Sequence, residues 1–277
     1  MFSPEYAAES GYLQTDCPEL LKNYDIRFFD AEGRSRSFYD YVAEHLNDLK
    51  LIAVCTGSEE LNAEISDNLM LFLKRHGAEQ ICVIQCGRDG VRYQESVGSP
   101  IIRAEIYSLA FLDAEIADRS AILLNSSYDR TDRSDWEKWL ACDSFSKASS
   151  RASADFTPAL IRSLSSSREE ILADGWKPSS EQLRNLGETE HRRWCAFHYS
   201  MGYRPMSREE MKHRARLGLR VSKDQETRSH ACLIPWEKLD ELSAFETGLT
   251  GESVDYKQLD INNVLAIPKL LRAEEKK

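Results

Sequence analysis

This sequence predicts an α/β domain built on a parallel sheet, followed by a mostly α-helical domain. Strand-like and helix-like stretches alternate through the first part of the chain, up to about residue 125. From Thr131 onward, helical periodicity and serine-rich segments replace the strand signals. We therefore divide the chain into an α/β domain over 1–125, a helical connector over 126–179 and a helical domain over 180–277.

Short apolar runs in the first domain predict the strands of the sheet, and stretches with helical spacing separate them. The predicted strands are 24–30, 51–55, 80–86 and 120–125, and the predicted helices are 37–49, the stretch from the N-cap Ser58 to His76, and 104–118. This alternation is typical of a Rossmann-like parallel sheet. Gly57 alone follows the strand 51–55, so the G-x-G-x-x-G fingerprint of dinucleotide binding is missing there.

Capping boxes mark the starts of two helices in the second half of the chain. Ser134 with Glu137, and Ser179 with Gln182, have the spacing at which two side chains satisfy each other's backbone N–H groups. The helix after Ser179 carries an apolar stripe made of Leu183, Leu186, Trp194, Phe197 and Met201.

Glu190 lies on this apolar stripe, where another apolar residue would be expected. A carboxylate that faces a packed surface must be paired or hydrogen-bonded, because burying it alone is strongly unfavourable. We therefore weigh two interpretations. In the first, Glu190 pairs with an internal arginine or caps a loop, and Trp194 belongs to the core. In the second, both residues belong to a binding site.

Composition and cysteine usage predict a cytoplasmic protein without a membrane partner. Apolar runs such as 51–55 are far shorter than the roughly 20 residues that span a bilayer. The N-terminal segment MFSPEYAAES has neither the basic nor the apolar part of a secretory signal. The 7 cysteines are scattered and form no C-x-x-C pair, a pattern typical of a reducing compartment.

Charge is unevenly distributed along the chain. The net charge of −10 argues against binding to nucleic-acid backbones, so we expect no nucleic-acid partner. Between Arg184 and Arg228, however, eleven Lys and Arg accompany six Asp and Glu. This local excess of about five positive charges indicates either a solvated face or a patch that binds an anion.

Four separated motifs near the C-terminus carry a resemblance to a known family. They are Glu190-His191-x-x-Trp194, Gly202-Tyr203-Arg204-Pro205, His230 through Pro235-Trp236 to Leu239, and Asp255-Tyr256 through Pro268. With these motifs in this order, the segment 180–272 resembles the repeat domain of the ryanodine receptors, the RyR domain, in the form found in bacterial proteins. The segment 136–156 is similar to a linker helix that precedes this domain in bacterial chains.

The resemblance implies a shortened Rossmann-like parallel-sheet domain, of the NAD-binding potassium-transport-regulator type, followed by a mostly α-helical RyR-like domain. In ryanodine receptors such repeats are non-catalytic helical modules. In bacterial proteins the domain is associated with sensing nucleotide or NAD-derived small molecules in stress and phage-defence signalling. The implied function is therefore a sensor of a small anionic metabolite, with a nucleotide or NAD-derived ligand and no assigned cofactor.

The candidate ligand-binding residues combine positive charge, aromatic surface and orienting polar groups. Guanidinium and ammonium groups bind phosphate, and aromatic rings stack on a base. The nine residues are Arg193, Arg204 and Lys223 for phosphate, Trp194, Tyr203 and Trp236 for stacking, and Glu190, His191 and His230 for orienting polar groups.

A zinc site is an alternative use of the histidines and cysteines. His191, Cys195 and His198 share one helical face, and His230 or Cys232 would complete a tetrahedral set. The spacing matches no recognised zinc-finger pattern, so we predict no metal site.

Catalysis and scaffolding are alternative functions. The sequence contains no G-x-S-x-G nucleophile motif, and a Cys195 thiolate activated by His191 or His198 would lack the rest of a catalytic constellation. We therefore assign no catalytic residue. The alternatives that stay open are a hydrolase acting on a nucleotide or ADP-ribose derivative, and a protein-interaction scaffold. Homo-oligomerisation and an effector-protein partner also stay open.

Overall fold

The chain divides into two compact units. The computed structural model describes residues 2–3, 6–87, 101–105, 118–126, 128, 131–164 and 166–274. The first unit comprises 1–11 and 26–117, and the second comprises 12–25 and 118–277. The predicted connector, 126–179, therefore falls in the second unit together with the predicted helical domain. Within the described residues, no helix is both long and apolar enough to cross a membrane.

The first unit is built on a small parallel sheet. The elements of the first half of the chain are α1 (Tyr6–Asp16), α2 (Pro18–Asn23), α3 (Arg36–Glu44), β1 (Leu51–Val54), α4 (Glu59–Arg75), β2 (Cys82–Gly87) and β3 (Ile101–Glu105). The sheet has the order β1-β2-β3, with Leu51 opposite Cys82 and Val83 opposite Ile101. The prediction of a parallel sheet is confirmed for β1 and β2, whereas β3 was not predicted.

Helix α4 begins where the sequence predicts and covers the sheet with its apolar face. The Ser58 hydroxyl caps the helix by accepting a hydrogen bond from the backbone N–H of Leu61 at 3.2 Å. Ile65, Leu69 and Leu73 recur every four residues and are buried with Val83 in one cluster. This packing stabilises the unit through burial of apolar surface.

Two features join the carboxyl ends of β1 and β2. The buried Asn62 side chain accepts from the backbone N–H of Thr56 at 2.7 Å and donates to the carbonyl of Cys86 at 2.8 Å. Cys55 and Cys86 lie side by side, with Cα atoms 5.2 Å apart, and form a disulfide. The parallel register brings these two cysteines together although they are 31 residues apart in the sequence.

Two of the predicted strands are wrong. Residues 120–125 lie in a helix, because their short apolar run also fits helical spacing and Ala121, Ile122 and Leu124 are buried on one side of it. Residues 24–30 form no strand, and their pairing with other described residues is a single β-bridge between Phe29 and Phe2. The predicted helix 104–118 begins inside β3, and 106–117 lie outside the described residues.

The second unit is mostly helical. Its remaining elements are α5 (Arg119–Ser126), α6 (Asp135–Ala141), α7 (Ser144–Ser163), α8 (Arg168–Leu172), α9 (Ser180–Ser200), β4 (Arg204–Pro205), α10 (Arg208–Arg216), β5 (Lys223–Asp224), β6 (Ser229–His230), a 3-10 turn (Trp236–Lys238), α11 (Leu239–Thr250), α12 (Tyr256–Leu265) and α13 (Ile267–Glu274). Both predicted capping boxes are confirmed, at Ser134 with Glu137 and at Ser179 with Gln182. The chain is thus largely helical with a small parallel sheet.

Helix α9 is the centre of this unit, packing against α2, α7 and α12. Gly187 lets it approach its neighbours closely, since a Cβ there would lie 3.0 Å from the Trp236 ring and 3.1 Å from Ile261. A small sheet of order β4-β6-β5 follows the helix, and Lys223 of β5 lies opposite His230 of β6.

Gly202, in the turn after α9, is expected to tolerate no side chain. Its φ is +77°, and a Cβ would lie only 2.6 Å from the carbonyl oxygen of Asp16. Gly202→Ala should therefore lower the free energy of unfolding by at least about 2 kcal/mol, from left-handed strain plus overpacking. Gly251 has φ +75°, but a Cβ there would meet no atom of the described residues within 4 Å, so Gly251→Ala should cost only the strain. Equal losses in urea denaturation would contradict this account.

Candidate functional site

A cavity of about 540 Å³ lies within the second unit, between α5, α6, α7, α9 and α12 and the small sheet. Five of its described lining residues are lysines or arginines: Arg133, Lys138, Arg193, Arg220 and Lys223. Asp260 is the one acidic residue among the described lining residues. The cavity is therefore strongly positive although the whole chain is acidic.

The buried carboxylate of Glu190 is paired with Arg193 one helical turn later. Arg193 Nε donates to Oε2 at 2.8 Å and Nη2 donates to Oε1 at 2.7 Å, a bidentate arrangement. Ser153 and Asn263 also donate to Oε1, at 2.9 and 3.0 Å. Since Glu190 has 0% exposure, these four bonds offset the cost of burying its charge. The pairing of Glu190 with an internal arginine, which is one part of the first interpretation, is confirmed. Trp194, which that interpretation places in the core, lines the cavity.

Arg193 lines the cavity and keeps one buried donor unused. Its side chain is only 10% exposed, and Nη1 is buried without a hydrogen-bond partner among the described residues. Nη2 and Nε are fixed by Glu190, so the orientation of the guanidinium is set before any ligand arrives. A buried donor without a partner is costly, by about 1–3 kcal/mol, and such groups mark a place where an acceptor belongs.

Lys223 supplies a second, partly buried positive charge. Its Nζ lies 4.4 Å from the centroid of the Phe145 ring, a cation–π contact. Burial lowers the pKa of Lys223, and the neighbouring Arg220 adds to this effect, while Asp143 opposes it. Burial and Arg220 both disfavour the ammonium form of Lys223. An anion bound beside Lys223 would stabilise this form by pairing with it.

His191 is held as an imidazolium by acceptors at both ring nitrogens. Nδ1 lies 3.0 Å from Oδ2 of Asp260, and Nε2 lies 2.9 Å from the carbonyl oxygen of Ile234. Burial lowers the pKa of His191, but the hydrogen bonds with Asp260 and Cys195 outweigh it and raise the pKa to about 10. The charge of Asp260 is therefore balanced inside the unit and leaves the cavity positive.

His198 and His230 are neutral and have opposite tautomers. His198 donates from Nδ1 to the carbonyl of Trp194 at 3.0 Å, so its proton is on Nδ1. His230 accepts at Nδ1 from the backbone N–H of Cys232 at 3.1 Å, so its proton is on Nε2. Burial is the main cause that lowers the pKa of His198 to about 3 and lowers the pKa of His230 well below its ordinary value.

Trp194 lines the cavity and is wedged among these histidines. Its ring centroid lies 3.8 Å from that of His198, 4.8 Å from that of His230 and 5.9 Å from that of His191. The aromatic wall of the cavity is therefore rigid, because each ring is fixed by the others and by the hydrogen bonds of the histidines.

No protein-family model, no curated protein and no solved structure matches this chain. The geometry of the cavity is therefore what bears on its function.

Five of the nine predicted ligand-binding residues line the cavity: His191, Arg193, Trp194, Lys223 and His230. Glu190 lies directly behind the wall and orients Arg193. The sequence brings these residues together because α9 supplies the first three and the small sheet supplies the other two.

Three predicted ligand-binding residues lie elsewhere in the second unit. Tyr203 is 3% exposed and packs against Phe145 and His198 in an aromatic cluster. Trp236 is buried in the core beside Gly187. The Arg204 guanidinium is engaged by Glu210, at 2.6 Å from Nη2 to Oε1. Their side chains already have partners, so the described cavity does not use them.

Helix α7, which lies within the predicted connector, forms one wall of the cavity. Its serines at positions i, i+3, i+4 and i+7 all line the cavity, namely Ser146, Ser149, Ser150 and Ser153. The helical spacing of these small polar residues was the signal that could have identified this face. Asn263 and Asp260, which come from α12, gave no comparable signal.

Metal binding gains no support from the arrangement of these side chains. Among the described residues, no group of three or more His, Cys, Asp or Glu is placed to hold a metal ion. Two of the histidines considered above as zinc ligands already have partners. Both ring nitrogens of His191 are engaged by oxygen acceptors, and Nδ1 of His198 donates to a carbonyl.

Proposed function

We propose that the second unit binds a phosphorylated small molecule of the nucleotide or NAD-derived type, and that the protein is a cytoplasmic sensor of this ligand. The observation that carries the proposal is the set of Lys and Arg side chains that line a cavity about 540 Å³ in volume, with Asp260 as the one acidic residue among its described lining residues. A phosphate oxygen is an acceptor that matches a guanidinium donor in both charge and geometry.

The charge balance of the cavity supports an anion carrying more than one negative charge. Lys223 and Arg220 accompany Arg193, and the charge of Asp260 is offset by His191. A cavity lined by charges of one sign and partly shielded from water attracts a multiply charged anion of the opposite sign more strongly. The volume falls within the range of small-molecule sites and exceeds what a phosphate ion alone requires.

Binding is favoured over hydrolysis because the nearby carboxylates are engaged. Glu190 accepts four hydrogen bonds and Asp260 pairs with His191, so neither is arranged as a base for an attacking water. The resemblance of 180–272 to RyR domains supports the same proposal. With it we propose a Rossmann-like character for the first unit and a role in stress or phage-defence signalling.

A thermal-shift panel on the full chain tests this function, using pyrophosphate, adenine and guanine nucleotides, NAD and ADP-ribose. A ligand at a hundred times its dissociation constant should stabilise the protein by about 2.7 kcal/mol. Lys223→Met should weaken binding about ten- to a hundredfold, since it removes a charged hydrogen-bond donor. Lys212→Met is the matched control, because Lys212 pairs with Glu209 outside the cavity lining.

The outcome decides between binding in this cavity and binding elsewhere. No melting shift with any member of the panel at millimolar concentration would overturn the proposal. A shift that is the same in wild type and Lys223→Met would place the ligand outside the cavity. Consumption of a ligand that binds would instead support the hydrolase alternative.

A further inference from the structure

Two neutral imidazoles in the cavity each leave one ring nitrogen unused. His198 keeps a lone pair on Nε2, because its proton is on Nδ1 and is donated to Trp194. His230 keeps an N–H on Nε2, because its Nδ1 accepts from Cys232. Neither Nε2 atom makes a hydrogen bond within the described part of the chain. The pair therefore offers one acceptor and one donor to whatever enters the cavity.

The surroundings of this pair restrict what can bind there. His191, Arg193, Arg220 and Lys223 are the positive groups that act on the two rings, so a cation is disfavoured. A phosphate or carbonyl oxygen could accept from His230 but has no hydrogen for the lone pair of His198. A hydroxyl group can do both, since it carries one donor and two acceptor lone pairs.

The space between the rings suits one oxygen atom better than a planar base. The centroids of His198 and His230 are 5.5 Å apart, with the rings at 75°. Trp194 lies against both of them, at 3.8 and 4.8 Å. With this indole packed against both rings, one side of the pair is covered, which favours a small group such as a hydroxyl over a planar base.

We infer that His198 and His230 together bind a sugar hydroxyl of the phosphorylated ligand. The hydroxyl donates its hydrogen to Nε2 of His198, and its oxygen accepts from Nε2–H of His230. This inference rests on the proposed function and narrows the ligand class to ribonucleotides and related ribose phosphates. A deoxy analogue would leave both imidazoles without partners.

The register of the small sheet places phosphate and sugar contacts side by side. Lys223 lies directly opposite His230 in the β5–β6 pair. Directly opposed residues in such a pair have Cβ atoms roughly 5 Å apart, which is about the separation of a phosphate from a ribose hydroxyl. A ribose phosphate can therefore contact Lys223 with its phosphate and the two histidines with its hydroxyl.

The test is a calorimetric titration of the full chain with ribonucleotides from the panel, their 2′-deoxy and 3′-deoxy forms, and pyrophosphate. We expect one of the two deoxy forms to bind at least about tenfold more weakly than the ribose form, since buried polar groups then lose their partners. In His198→Phe this preference should vanish. The exposed His213→Phe is the matched control and should keep it.

The outcomes separate this inference from the proposed function. Equal binding of ribose and both deoxy forms, together with binding of pyrophosphate, would overturn the inference and leave the proposed function standing. Sensitivity to the base alone would indicate that the histidines bind a base edge, which also overturns it. If none of the ligands binds, pyrophosphate included, both the inference and the proposed function are contradicted. If His198→Phe does not fold, the deoxy comparison on the wild-type protein decides alone.

Discussion

Glu190→Gln is expected to lower the free energy of unfolding of the second unit by about 3–5 kcal/mol. The substitution removes the negative charge that pairs with Arg193, whose side chain is only 10% exposed. Breaking a buried ion pair by changing one partner leaves the other charge buried and uncompensated. Ser153 and Asn263 also lose the carboxylate to which they donate, although an amide oxygen can replace it in part.

Urea denaturation of the full chain measures this effect, with Glu188→Gln as the matched control. Glu188 pairs with Arg192 on the same helix, but both side chains are partly exposed, at 26% and 76%. A surface pair of this kind contributes about 0–1 kcal/mol. If the two substitutions cost the same, the bidentate pair of Glu190 and Arg193 does not have the structural role assigned to it.

Stability is expected to fall as the pH drops from about 6.5 towards 3, because His198 and His230 are neutral and buried. In the folded protein the pKa of His198 is lowered to about 3, mainly by burial, and that of His230 is also lowered. The unfolded chain binds protons at both residues within this window and the folded chain does not. Each residue then contributes a slope of up to about 1.4 kcal/mol per pH unit.

His191 affects the stability of the folded protein on the alkaline side, above about pH 6.5. Its pKa in the folded protein is raised to about 10, so its contribution is fully present below about pH 6.5 and is lost as the pH rises towards 10. Taking the three histidines together, we expect maximal stability of the second unit near pH 6.5.

Denaturation at pH 7, 6 and 5 tests the acid part of this account. His198→Asn should reduce the slope of stability against pH by about 1.4 kcal/mol per unit at the acid end. The slope of the wild-type protein, measured in parallel, is the reference. An unchanged slope in His198→Asn would mean that His198 is already protonated in the folded protein.

Local signals in the sequence predicted the helix starts well. Ser58, Ser134 and Ser179 each cap a helix, because the cap is made by residues within three positions of one another. The strands at 51–54 and 82–87 were also predicted, since their apolar runs end in turn residues. The run at 120–125 was misassigned because a short buried segment gives the same pattern in a strand and in a helix.

The candidate site could be predicted only in part. Glu190 was identified because it lies on the apolar stripe of its helix, and Arg193 because it is a cation on the same helix. Ser153 and Asn263 reach Glu190 from 37 and 73 residues away, and only the fold brings them there. Trp236 and Tyr203 were assigned to the ligand, yet they pack in the core, because an aromatic side chain at helical or loop spacing serves either role.

The positive charge of the cavity leads to the most direct measurement. Crystals of the full chain soaked with tungstate, a dianion that resembles phosphate, would show where an anion binds through its anomalous scattering. We predict tungstate inside the cavity, with an oxygen within hydrogen-bond distance of Nζ of Lys223. Tungstate bound only on the outer surface, with the cavity holding water at saturating concentration, would contradict the proposal that this cavity binds a phosphorylated ligand.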